Sequence, residues 1–165
     1  MMVPSDAGMA DWRVEAEWLR AARPAHVLFL CVANSARSQM AEGIARRLAP
    51  DGVRVSSAGS EPSAVRPQAV RALEEIGIDA SGHRSKSVDE LLGEGVDAVV
   101  TLCAEENCPV WLGDARRVHW ALPDPASAHG SDEEIMEAFR RVRDEIAERL
   151  AVLFRPADWH ADRSG

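Results

Sequence analysis

At 165 residues, with 46% hydrophobic and 28% charged residues, the chain has the makeup of one folded domain and not that of a disordered or collagen-like polymer. A formal charge of −8 excludes a global positive field for collecting nucleic acid or anionic membrane, so an anionic ligand would need a local site. Three cysteines form an odd set, unlike the even-numbered framework of a small secreted protein, and point to catalytic, redox or metal-binding thiols in a reducing compartment.

The N-terminal stretch MMVPSDAGMADWR has no basic region followed by an apolar one. No apolar run approaches the roughly 18 to 20 residues that span a bilayer, so a cytoplasmic protein without membrane partners is expected. Residues 1–24 form an extension in which DWRVEAEWLRAARP places Trp12, Glu15, Trp18 and Leu19 on a short amphipathic helix ended by Pro24. Its apolar face is expected to pack on the domain, a partner surface being the alternative. AHVLFLC (25–31) reads as the first buried strand, and the stretch after Arg37 as a helix with Met40, Ile44 and Leu48 on one face.

VRVSSA (53–58) is the second strand. RPQAVRALEEIG sets Pro67 near a helix start and Gly77 just past its end, and SVDELL carries Ser87 and Glu90 at capping-box spacing. VDAVVTLC (96–103) and RRVHWAL (116–122) supply two further strands. Ser131 and Glu134 then cap a long helix with a stripe of Ile135, Phe139, Val142, Ile146, Leu150 and Leu153. The alternation predicts an α/β fold with a four-stranded parallel sheet flanked by helices, a domain over 25–155 and a frayed tail over 156–165.

Ligands of such folds bind beyond the carboxyl ends of the strands. Cys31 ends the first strand and Cys103 the third, so both thiols are expected at one sheet edge. Cys31, Val32, Ala33, Asn34, Ser35, Ala36, Arg37 and Ser38 fit the pattern C-x5-R-S. A loop running into a helix N-terminus directs backbone N–H groups inward, and with the helix dipole makes a nest for a tetrahedral oxyanion. The same positive end favours the thiolate of a cysteine held there. Arg37 can take two anion oxygens at once, Ser38 can donate to the sulfur, and Asn34 tolerates a left-handed backbone.

FLCVANSARSQMAEG, followed by SSAGSEP, VVTLCAEENCPV and HWALPDPA, resembles the arsenate reductases built on the low-molecular-weight tyrosine phosphatase fold. The resemblance implies a low-molecular-weight phosphatase-like domain that reduces arsenate, with phosphate or sulfate as analogue ligands. Cys31 would be the nucleophile, Cys103 and then Cys108 the resolving thiols, and Asp124 the general acid. Electrons would come from a thiol donor, thioredoxin before glutaredoxin or a mycothiol-type donor, with no tightly bound cofactor. The chain indeed has no G-x-G-x-x-G fingerprint.

Two departures stand out. Only four residues, AEEN, separate Cys103 from Cys108, fewer than in well-known thioredoxin-linked members, although Pro109 is retained. Some relatives also bind potassium beside the loop through side chains matching Asn34, Glu42 and Ser57 plus an aspartate where this chain has Lys86. An ammonium there could pair with Glu42 and replace the ion, so no metal is expected. Zinc on Cys103, Cys108 and His119 is disfavoured, because the C-x4-C spacing supplies only two ligands and His119 is expected to be packed within an apolar strand, and His83 is expected to be a turn residue or a support of the site and not a base. The competing readings are a low-molecular-weight tyrosine phosphatase, against which the absence of Tyr weighs slightly, and a non-enzymatic redox or oxyanion sensor.

Overall fold

The computed structural model describes residues 11–104, 108–111 and 113–156. The fold is organised around β1 (His26–Cys31), a six-residue strand buried along its whole length. A strand with no wet face needs neighbours on both edges. β2 (Arg54–Gly59) lies on one side and β3 (Ala98–Cys103) on the other, both parallel, with Val27 opposite both Val55 and Ala98. β4 (Arg116–Leu122) pairs parallel to β3, giving the order β2-β1-β3-β4. The expected architecture is therefore the observed one, including a helix ahead of the first strand.

The larger core lies on the sheet face carrying Val27, Phe29, Val100 and Trp120. Onto it pack α1 (Trp12–Ala21), α2 (Arg37–Leu48), α3 (Pro67–Glu74) and α4 (Asp132–Leu153). Each buried Leu, Ile or Phe contributes about 1.5–3 kcal/mol by leaving water. In α4 the Ser131 hydroxyl accepts from Glu134 N–H at 3.2 Å while Glu134 Oε1 accepts from Ser131 N–H at 3.1 Å, the reciprocal cap its spacing predicts. Its buried stripe begins at Met136, with Ile135 turned half outward. α1 starts at Asp11, whose Oδ1 accepts from Arg13 N–H at 2.9 Å, and it buries Ala16 and Leu19 completely.

The second face carries Leu28, Leu30 and Val99 and is covered by Leu91, Val96 and Trp111. Here SVDELL makes a single 3-10 turn, Val88–Leu91, instead of a longer helix. The capping box forms, but Leu92 is already extended and Gly93, at φ +80°, turns the chain away.

One expectation fails. His119 is exposed and not packed, because β4 is an edge strand whose residues from Val118 to Leu122 alternate between buried and exposed. Its Nδ1 sits 2.6 Å from the Thr101 hydroxyl on the neighbouring strand. Glu105, Glu106 and Asn107 of the intercysteine loop, and all of the expected frayed tail except Pro156, lie outside the described residues. Among the described residues no helix is long and apolar enough to cross a membrane.

Candidate active site

Parallel pairing brings the carboxyl ends of all four strands to one edge, where β1 ends at Cys31, β2 at Gly59, β3 at Cys103 and β4 at Leu122, two residues before Asp124. A small open cavity of about 50 Å³ lies there, lined by Cys31, Val32, Ala33, Ser35, Ala36, Arg37 and Asp124. The structure thus brings together the thiol, the loop, the guanidinium and the carboxyl group that the sequence singled out.

The loop is held from outside through its carbonyls. Val32 C=O accepts from Glu61 N–H at 2.8 Å, Ala33 C=O from Ser63 N–H at 3.1 Å and the Ser85 hydroxyl at 2.9 Å, and Ser35 C=O from Arg66 N–H at 2.9 Å. A trans peptide points its C=O and the following N–H to opposite sides, so tying these carbonyls outward turns the N–H groups of Ala33, Asn34 and Ala36 toward the cavity. Asn34 adopts φ +48°, the left-handed backbone that bends the loop. The residue ahead of α2, Ala36, offers no side-chain cap, and the first turn of α2 holds no acidic residue, so the positive end of this helix is left to an anion.

Arg37 is 4% exposed, and its NH1 donates to Leu122 C=O at 2.9 Å, joining the anion loop to the segment that carries Asp124. Asp124 caps a 3-10 turn, Pro125–Ser127, with Oδ1 accepting from Ala126 N–H at 2.9 Å and Oδ2 accepting from the Ser127 hydroxyl at 3.3 Å. These bonds fix the carboxylate at the cavity rim.

Behind the loop lies a buried polar network. Ser38 Oγ is 2.8 Å from Cys31 Sγ, and Asn34 Nδ2 donates to Ser38 Oγ at 2.8 Å and to Ser57 Oγ at 3.0 Å. Ser57 in turn donates to Glu42 Oε1 at 2.6 Å. Glu42, 2% exposed, faces Arg46 NH2 at 3.1 Å and Lys86 Nζ at 3.5 Å, two cations that compensate a carboxylate that burial would otherwise penalise, and His83 Nε2 lies 3.9 Å away. Burial lowers the pKa of His83 from its ordinary value, opposed by the Glu42 charge.

Cys31 is a buried free thiol at the cavity floor, and Cys103 and Cys108 are joined in a disulfide with their Cα atoms 5.7 Å apart. The short interval therefore permits the bond. Cys103 is fully buried, Cys108 half-buried, and Val110 beyond it 69% exposed.

Two supporting residues carry no mark in the sequence. Gly59 ends β2 against the loop, and a Cβ there would meet the Val32 carbonyl oxygen and lie 2.8 Å from Asn34 N. Gln39, fully buried, bonds Asn34, Arg84 and His83. The glycine closing a β-rich run and the glutamine next to the apolar stripe of α2 were the available signals.

Residues 26–162 match the model of the family described as low molecular weight phosphotyrosine protein phosphatase. An arsenate reductase of Halalkalibacterium halodurans is 49% identical over 126 residues, covering 75% of this chain and 91% of the relative. Among solved structures, the arsenate reductase of Archaeoglobus fulgidus superposes with a TM-score of 0.67 at 36% identity, covering 78% of this chain and 98% of the other. The thioredoxin-dependent arsenate reductase of Corynebacterium glutamicum gives 0.53 at 27% identity, covering 85% and 70%.

Proposed function

Because the chain belongs to the low molecular weight phosphotyrosine protein phosphatase family and carries two cysteines at the carboxyl ends of neighbouring strands with a third bonded to one of them, we propose that it is an arsenate reductase working by a cysteine relay. The observation that carries this reading is the pairing of the sulfurs, a free Cys31 in the anion cavity and a Cys103–Cys108 disulfide that begins at the end of the neighbouring strand. A phosphatase needs one cysteine, whereas a relay that returns its nucleophile to the reduced state ends in this arrangement.

In the proposed mechanism arsenate sits against the loop N–H groups and Arg37. The Cys31 thiolate attacks arsenic, forming an S–As bond as an oxygen leaves as water with a proton from Asp124. Cys103 then attacks Cys31 Sγ. The S–S bond forms, the S–As bond breaks and its electron pair stays on arsenic, so As(V) becomes As(III) and arsenite departs. Cys108 attacks Cys103 Sγ and releases Cys31 as thiolate. Two electrons have moved from two thiols to arsenic, and the remaining disulfide sits where an external dithiol can reach it. The thioredoxin-dependent relative supports thioredoxin as that dithiol.

The oxygens that could face a cation beneath the loop are already occupied. Glu42 Oε1 has Lys86 Nζ at 3.5 Å and the Ser57 hydroxyl at 2.6 Å, and Asn34 Oδ1 accepts from Lys86 N–H at 2.7 Å and Gln39 Nε2 at 3.1 Å. A potassium ion does not fit this set. We assign Lys86 the role of the loop's internal cation, and residues 25–155 that of the catalytic unit.

The reading is tested by following NADPH loss with arsenate, thioredoxin and thioredoxin reductase, in parallel with hydrolysis of an aryl phosphate. Arsenate-dependent loss that vanishes in Cys31→Ser, Cys103→Ser and Cys108→Ser supports it. Aryl phosphate turnover that survives Cys103→Ser, without arsenate reduction by the parent, would assign the site to phosphate ester hydrolysis instead. Absence of both activities would leave an oxyanion or redox sensor.

A further inference from the structure

The polarity of the network behind the loop can be read from its backbone members, which have a fixed sense. Lys86 N–H can only donate, so the atom of Asn34 that it meets at 2.7 Å is Oδ1. The other end of that amide is then the NH2 group, and it faces Ser38 and Ser57. The carbonyls of Asn34 and Arg84 can only accept, so the atom of Gln39 lying 3.1 and 2.9 Å from them is Nε2. Gln39 Oε1 therefore faces His83 Nδ1 at 3.0 Å, and the imidazole must be the one that donates.

We propose that Gln39 is a positioning residue for the nucleophile, which with His83 fixes a one-way chain of hydrogen-bond donations ending on Cys31 Sγ. His83 Nδ1–H donates to Gln39 Oε1, Gln39 Nε2–H to Asn34 Oδ1, Asn34 Nδ2–H to Ser38 Oγ, and the Ser38 hydroxyl to the sulfur. Aligned donors polarise one another, and in a buried chain the effect is not screened by water. Gln39, Asn34 and Ser38 have no exposed surface at all. A Gln39 that could not donate would leave Asn34 Oδ1 to the Lys86 N–H alone, removing the upstream donor that polarises the Asn34 amide toward Ser38 and the sulfur.

His83 is surrounded by Glu42 and Arg46 of α2, by Asp79 before it and by Lys86 after it. With Nδ1–H committed to Gln39, its Nε2 faces Glu42 Oε2 at 3.9 Å, so protonation adds an ion pair there without reversing the donation to Gln39. The chain keeps its sense in both charge states. Tautomer and amide orientation carry the effect.

This inference rests on Cys31 being the reactive thiol, and its readout, the alkylation profile, is obtained without arsenate. The rate of Cys31 alkylation by iodoacetamide is measured against pH by mass spectrometry of the reduced protein, for the parent, Gln39→Met, His83→Leu and His83→Gln. Gln39→Met is expected to move the profile to higher pH and to slow alkylation on its low-pH limb by about three- to tenfold, the size expected from losing a fraction of one pH unit to a full unit. His83→Leu should shift it less in the same direction, and His83→Gln, which keeps an N–H donor, should restore it. A folded Gln39→Met whose profile overlays that of the parent overturns the inference. If Gln39→Met does not fold, coincidence of His83→Leu with the parent does the same. Normal arsenate turnover with coincident profiles would refute this inference alone, whereas shifted profiles in a protein that does not reduce arsenate would leave it standing and refute the reduction.

Discussion

Cys103 has no exposed surface, whereas Cys108, bonded to it across a Cα separation of 5.7 Å, is half-buried. An attacking thiolate needs in-line access to the sulfur it displaces against. The incoming donor is therefore expected to bond to Cys108 and expel Cys103. A thioredoxin whose second active-site cysteine is replaced by serine should be trapped on Cys108 in peptide maps of the mixed disulfide. Trapping on Cys103 would contradict this order.

The contact between Gly59 and the loop leaves no room for a methyl group, since the nearest obstacles are backbone atoms of Val32 and Asn34, and the Val32 carbonyl is itself held by Glu61 N–H. Gly59→Ala is expected to cost about 1–3 kcal/mol of stability and to weaken phosphate binding together with it. Denaturant unfolding and calorimetric titration with phosphate measure the two effects. Parent-like values for both would show that the loop can yield.

Burial holds His83 below its ordinary value of 6.5 in the folded protein. The unfolded chain then takes up the proton first as pH falls through 6.5, so this residue's contribution to stability is complete above that pH and declines below it, levelling off once the folded histidine is protonated too. Urea unfolding at a series of pH values should show a steeper loss below pH 6.5 for the parent than for His83→Gln. Parallel curves would remove His83 from the pH dependence.

Lys86 Nζ stands between Glu42 Oε1 and the carbonyl of Arg84, at 3.5 and 3.0 Å. The parent is expected to show no gain in kcat/KM from potassium over sodium at equal ionic strength. Lys86→Asp, which removes the ammonium and adds a carboxylate beside Glu42, should lose activity by about tenfold or more, as expected when a buried charge loses its partner, and regain part of it with potassium. A several-fold potassium activation of the parent would contradict the role given to Lys86.

The residues legible in the sequence are those whose chemistry is local. Cys31 and Arg37 sit six positions apart on a strand tip and a helix start, so strand, loop and helix could be read in one stretch, and the capping box of α4 likewise spans four residues. What escaped depends on long-range contacts. Gln39 meets His83 from 44 positions away, and the sense of that bond is set by the carbonyl of Arg84, which no side-chain pattern reveals. The size limit at Gly59 is imposed by a loop that precedes it in the chain. His119 looked packed because β4 is apolar around it. That β4 would form the edge of the sheet is a property of strand order, which alternation of elements does not determine.

The central claim is that two thiols supply the electrons that leave arsenic as arsenite. Fully reduced protein mixed with arsenate, with no external reductant, is quenched in acid after one turnover and mapped by mass spectrometry under non-reducing conditions. The relay predicts one arsenite per chain and a Cys103–Cys108 disulfide in the parent, replaced by a Cys31–Cys103 disulfide in Cys108→Ser. Recovery of all three cysteines as free thiols, with or without arsenite in solution, would contradict it.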